Sequence, residues 1–181
     1  MLKINNSSKT KLVEKTIFDS YSPFQIQFGN YSPGLEPIYI WRLESDEYLF
    51  EFWIHSRTKE LVSINLVLVP RSFVNEVNHF DIENVILNSF PLCDTSDWEK
   101  KIEAKEFRIA DSLYVIGENR NFSLSILHDS VQVLISGFKP SRLYKNERVG
   151  IGVDFESNVC YISIERLTSE EILNLRQACG L

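Results

Sequence analysis

The chain has 181 residues, 44% hydrophobic and 24% charged, a composition that fits an ordinary globular protein and excludes a disordered or collagen-like one. With 19 Lys and Arg against 25 Asp and Glu, the net charge of -6 argues against a binder of nucleic acid or anionic membrane, whose affinity comes from neutralising phosphate. The length suits one β-rich domain over 1–181, with a core large enough to need neither disulfides nor a metal.

From Met1 to about Lys15 the chain is polar, and a flexible, frayed arm or a short helix is expected there. It has no apolar leader, and no later run approaches 18 apolar residues, so neither an export signal nor a membrane span is expected. Cys93, Cys160 and Cys179 are odd in number and widely spaced, without a zinc pattern. That usage fits a reducing cytoplasm.

Phe24-Gln25-Ile26-Gln27-Phe28 alternates perfectly and predicts a half-buried strand, ended by Gly29-Asn30 and Ser32-Pro33-Gly34. Pro37 to Leu43 is aromatic and β-branched enough for a second strand, and Glu44-Ser45-Asp46-Glu47 leads into the strongest hairpin of the chain. In that hairpin Tyr48, Phe50, Phe52 and Ile54 alternate with Leu49, Glu51, Trp53 and His55. Ser56 to Glu60 form the turn, and Val62, Ile64, Leu66 and Leu68 share one face of the return strand. After Val69 the apolar spacing is irregular as far as Phe90, and short helical turns are expected. Asp94 to Ala104 reads as a helix, with capping-box spacing between Ser96 and Glu99 and an apolar edge of Trp98 and Ile102.

Strand patterns return at Phe107–Ala110, Leu113–Ile116, Phe122–Leu127 and Val131–Ser136. A basic connection through Arg142, Lys145 and Arg148 leads to a last hairpin, Val149–Phe155 and Val159–Arg166. Thr168 and Glu171 then make a capping box for a final helix, Thr168 to Cys179, with Leu167 and Ile172 as its hydrophobic staple. Ile54–Leu66 and Val153–Ile164 share one pattern, either an internal repeat or the common look of two strands with one open face. The expected fold is α+β: a mainly antiparallel, twisted sheet carrying one or two helices, including the C-terminal one.

The chemical motifs are few. Gly150-Ile151-Gly152 lacks the third glycine of a phosphate loop and predicts a strand with something packed close to its backbone. No GxSxG, HExxH or calcium loop occurs, His55, His79 and His128 stand alone, and Cys160 reads as a core thiol. No catalytic residue, cofactor or metal is assigned. The more informative feature is a mixed aromatic and acidic row: Glu51, Trp53 and His55 on one strand, Tyr39 and Trp41 on its neighbour, and Glu44, Asp46 and Glu47 at the connection. On an uncovered sheet these residues would anchor a protein interface and steer a basic partner. Under a helix, both tryptophans would be core.

The two hairpins, Phe52–Val67 and Val149–Arg166, followed by the capped entry Leu167–Ile172, resemble the small, acidic, cytoplasmic immunity proteins by which bacteria neutralise a cognate toxin. The resemblance covers about a fifth of the chain. It implies a non-enzymatic module that binds a basic toxin domain. The alternatives are a small-molecule-binding or hydrolytic domain with a sheet-lined pocket, and a structural subunit exposing a large apolar face.

Overall fold

The computed structural model describes residues 1–8, 13–29, 37–75, 82, 84–103 and 113–181. Among the described residues fourteen strands and two α-helices follow in order, besides a 3-10 turn at Arg71–Phe73: β1 Lys3–Ser8, β2 Glu14–Ile17, β3 Phe24–Phe28, β4 Ile38–Glu44, β5 Leu49–His55, β6 Leu61–Leu68, β7 Asn84–Leu87, β8 Phe90–Asp94, α1 Ser96–Glu103, β9 Leu113–Glu118, β10 Phe122–Ile126, β11 Ser130–Ile135, β12 Arg142–Asn146, β13 Val149–Val153, β14 Val159–Glu165 and α2 Ser169–Ala178. The chain is thus α+β and rich in strand, with a C-terminal helix. In place of one antiparallel sheet there are two six-stranded sheets and a two-stranded ribbon, and each large sheet has one parallel edge.

The first sheet runs β2-β3-β6-β5-β4-β9 and the second β10-β11-β14-β13-β12-β7. Their topologies are the same. A hairpin (β2-β3, β10-β11) is followed by a three-strand meander (β4-β5-β6, β12-β13-β14) whose last strand returns to lie beside the hairpin. A parallel strand then flanks the first strand of each meander, β9 beside β4 and β7 beside β12. The agreement extends to detail, because the register shifts between Trp53 and Ile54 in one sheet and between Gly152 and Val153 in the other. The likeness read in the sequence between Ile54–Leu66 and Val153–Ile164 thus sits within a shared topology of five strands in each half of the chain. Each half also lends an edge strand to the other: β7 follows the first meander but completes the second sheet, while β9 precedes the second hairpin but completes the first.

The inner faces share one core. Phe24, Trp41, Phe50, Phe52, Ile64 and Leu66 meet Val133, Ile151, Ile162 and Ile164 in a single apolar cluster. Phe50 and Phe122 touch across the two sheets with ring centroids 5.3 Å apart. The expected core row Tyr48, Phe50, Phe52 and Ile54 is buried throughout. On the return strand the bulge after Trp53 changes the expected face, so that Leu61 pairs with Ile54 and turns inward while Val62 packs outside with Ile38 and Ile40; beyond a second register shift between Leu49 and Phe50, Leu68 is exposed.

The ribbon of β1 and β8 closes one end, so 3–8 is a strand with Leu2 and Ile4 buried rather than a frayed arm or helix. Of the short helical turns expected between Val69 and Phe90, one is found as a 3-10 turn at Arg71–Phe73, whereas 84–87, and 90–94 starting at Phe90, are strands. The start of α1 is served by Asp94, whose carboxylate accepts from the Ser96 N–H and hydroxyl, while Thr95 Oγ1 donates to Glu99. Ser96 is the first helical residue and not the cap. Helix α2 begins as expected, with both halves of the Thr168–Glu171 capping box formed. The basic connection through Arg142 and Lys145 is strand β12. The strand expected at Phe107–Ala110, the turn at Ser32-Pro33-Gly34 and His79 lie outside the described residues.

Candidate protein-binding face

Register decides which of the expected site residues meet. Across β4 and β5, Tyr39 pairs with Ile54 and Trp41 with Phe52, so both aromatics face inward, away from the Glu51, Trp53 and His55 row. Trp41 is fully buried against Phe52 and donates its indole N–H to Glu118 at 2.9 Å. Tyr39 lies against Trp98 of α1 and beneath the Lys59 ammonium, which also pairs with Glu99. The two aromatics expected on the outer face are core.

The neighbours that do share the outer face are Ile38 opposite His55, Ile40 opposite Trp53, Arg42 opposite Glu51 and Glu44 opposite Leu49. Towards β6 and β3, Trp53 and Glu51 stand beside Ser63 and Asn65, which stand beside Gln27 and Gln25. This face has two zones. Trp53 and Val115 pack on Ile38, Ile40 and Val62 in a small apolar cluster. Beyond Trp53 the lining is mainly polar, with Ile17 and Val67 at its margin.

Glu51 is only 6% exposed, and a carboxylate so far out of water must be compensated. Arg42 Nε donates to one oxygen at 2.7 Å and the Trp53 indole N–H to the other at 3.0 Å, which fixes both partners' side chains. Arg42 also lies 3.7 Å from Glu44, and a side chain on Gly117, beside Arg42, would run into the Glu44 carboxylate. Asp46 and Glu47 are exposed in the turn that follows, with the Glu47 N–H held by Ser45 Oγ. His55 does not join this group through its Nδ1 atom, which accepts the backbone N–H groups of Arg57 and Thr58 and so orders the hairpin turn.

Beside Trp53 the face opens into two depressions. One, of about 320 Å³, lies over Asp19, Gln25, Glu51 and Asn65; the other, of about 130 Å³, lies over Gln27, Val62 and Ser63. Arg42, Asn65, Ser63, Gln25 and Asp19 had not been singled out from the sequence. Gln25, Gln27, Ser63 and Asn65 all alternate with buried aliphatics, which was the available signal.

The same positions on the second sheet are built differently. By register, Gly150 replaces Glu51, Gly152 replaces Trp53, Tyr161 replaces Ser63, Ser163 replaces Asn65, Leu134 replaces Gln27 and Lys145 replaces Arg42. Here Leu143, Cys160 and Tyr161 are buried, with Leu134 and Phe138 packed on them. The glycine reading holds, since a Cβ on Gly152 would approach Tyr161 Cβ to 2.8 Å. Burial pushes the Cys160 thiol up to about 12, Asp154 adding to the effect, so it is a core group.

Among the described residues, no group of three His, Cys, Asp or Glu could hold a metal ion, and no helix is long and apolar enough to cross a membrane. Compared with known proteins, the chain matches no protein-family model and no curated protein.

Proposed function

We propose that the chain is a non-enzymatic protein-binding module whose outer first-sheet face docks a basic protein. Neutralisation of a cognate bacterial toxin, in the manner of an immunity protein, is the specific form that the sequence resemblance suggests. The observation that carries the reading is the contrast between two sheets of one topology. Where the middle of the second sheet is filled by Leu134, Tyr161 and Phe138, leaving a depression only towards its edge at Leu87 and Lys145, the first sets a held carboxylate, Glu51, beside a half-exposed Trp53 and two open depressions. An indole ringed by oriented polar groups is the usual anchor of a protein interface. Glu44, Asp46 and Glu47 at the adjoining turn add negative potential that favours encounter with a basic surface.

A small-molecule site is the second reading, supported by the larger depression. Its 320 Å³ is at the low end of ligand cavities, which run from about 300 to 1,000 Å³ and are mostly apolar, whereas here Asp19, Ser22, Gln25, Glu51 and Asn65 outnumber Ile17, Trp53 and Val67, which favours a partner's polar side chain.

The test is co-purification of the tagged chain from the cells that encode it, at low and high salt, followed by binding kinetics with the protein recovered. The expected result is one basic partner whose association slows roughly tenfold when Glu44 and Glu47 are both changed to Lys. Recovery of no stable partner, or a rate indifferent to both salt and these changes, would overturn the reading.

A further inference from the structure

The larger depression can be described by its hydrogen-bonding capacity. Asp19 Oδ1 accepts the backbone N–H groups of Tyr21 and Ser22, at 2.7 and 2.8 Å, and Oδ2 accepts from no described residue. Ser63 Oγ lies 2.8 Å from Ile26 O and 2.7 Å from the amide atom of Asn65 assigned as Oδ1, two acceptors. A serine hydroxyl carries one proton and cannot donate to both. Turning the Asn65 amide over resolves the conflict: its Nδ2 donates to Ser63 Oγ, the hydroxyl donates to Ile26 O, and Oδ1 is left towards the depression.

Asn65 is 6% exposed, and the amide oxygen so turned has no donor among the described residues. Glu51 has lone pairs beyond those taken by Arg42 and Trp53. The depression therefore offers acceptors at Asp19, Asn65 and Glu51, two of them charged, beside an indole and within about 320 Å³.

We infer that this depression receives an arginine side chain of the docked protein, its guanidinium donating to Asp19 and Asn65 with its plane against Trp53. A guanidinium has five N–H donors and no acceptor, is planar, and stacks on aromatic rings, which matches acceptors spread around an indole. An ammonium is compact and more strongly hydrated, and meets such a site less well. The second sheet has Gly150 and Ser163 at the places of Glu51 and Asn65, so the site belongs to one half of the chain alone. The inference rests on the protein-binding reading and names the group recognised.

The experiment titrates the ¹⁵N-labelled protein with N-acetyl-arginine amide, following the Trp53 indole N–H and the Asn65 and Gln25 side-chain amides. N-acetyl-lysine amide and N-acetyl-citrulline amide serve as comparisons. Saturable shifts with the arginine derivative are expected, with affinity at least roughly threefold weaker for lysine, none for citrulline, and a marked loss in the exposed-site variant Asp19→Asn. Shifts shared by citrulline, an Asp19→Asn variant that binds as before, or no shift up to about 50 mM ligand would each overturn the inference. The two readings fail separately. A captured partner that binds Asp19→Asn unchanged removes the arginine site and keeps the protein-binding face, whereas saturating arginine without any captured partner does the reverse.

Discussion

Lys59 and Ser157 occupy the same place in the two halves: each has left-handed backbone, at φ +64° and +65°, two residues before the return strand, and each offers its carbonyl to the ribbon. Lys59 O accepts from Cys93 N at 2.8 Å and Ser157 O from Ile4 N at 2.9 Å, and Ile4 and Cys93 are themselves cross-strand partners. The ribbon thus ties two equivalent turns together around one pair of residues.

Both side chains sit at a φ that L-residues enter at a cost. Ser157→Gly removes that cost and is expected to raise stability by about 0.5–1 kcal/mol in urea denaturation. Lys59→Gly also loses the Glu99 pair and the contact with the Tyr39 ring, so it should gain less or lose stability.

Arg42→Ala leaves Glu51 nearly buried, with the Trp53 N–H as its remaining side-chain donor. The expected loss is about 2 kcal/mol, below the full cost of a stranded charge because Arg42 is itself 30% exposed. Adding Glu51→Gln should recover part of the loss, which the denaturation midpoints of the two variants will show.

Gly152→Ala forces a methyl group to 2.8 Å from Tyr161 Cβ, next to the backbone, and should cost about 1–3 kcal/mol. Gly150→Ala instead meets Ser163 Oγ at 2.5 Å, a hydroxyl that can rotate away, and Leu143 Cδ1 at 3.0 Å. The thermal midpoint is therefore expected to fall further for the Gly152 variant.

Two carboxylates give stability opposite dependences on acid. Burial holds Glu14 above its ordinary value near 4.5, against hydrogen bonds from Asn146 and the Arg148 N–H. The native state therefore takes up this proton first, and stability gains as pH falls from the raised value towards 4.5. Burial also raises Glu171, but the Arg148 guanidinium, at 3.0 and 3.1 Å, and the Thr168 N–H outweigh it and hold the carboxyl below 4.5. Its contribution is complete above the unfolded value and lost as pH falls through the folded one. In urea titrations across pH, Glu14→Gln should remove the gain above 4.5, and Glu171→Gln part of the loss below it.

The strands with strong alternation were legible in the sequence: Phe24–Phe28 is found with the expected ends, and the Thr168–Glu171 box forms as read. Strands β1 and β7 were not, because β1 buries only Ile4 among its own residues and β7 half-buries only Ile86, so neither carries a period. Strand β7 is also set by pairing with Arg142–Lys145, far along the chain. The face of Trp41 was misjudged for a related reason. Alternation groups residues within one strand, but which rows of two strands coincide depends on the turn between them, and a slip of one residue exchanges inside for outside. The site was legible in part, since Glu51 and Trp53 stand out as polar and amphipathic residues in an apolar strand, whereas Asn65 and Asp19 gain meaning only beside them.

The exchange of β7 and β9 bears on what happens if the chain is cut. A break between residues 87 and 113 would give two fragments, each carrying a strand it cannot use and lacking one it needs, with β4 and β12 left as bare edges. Such pieces are complements, and mixing them should restore the fold by strand transfer in both directions. In the intact chain the same reciprocity couples the two sheets: neither edge can be completed until the other half of the polypeptide is present, and neither half can peel away without uncovering both.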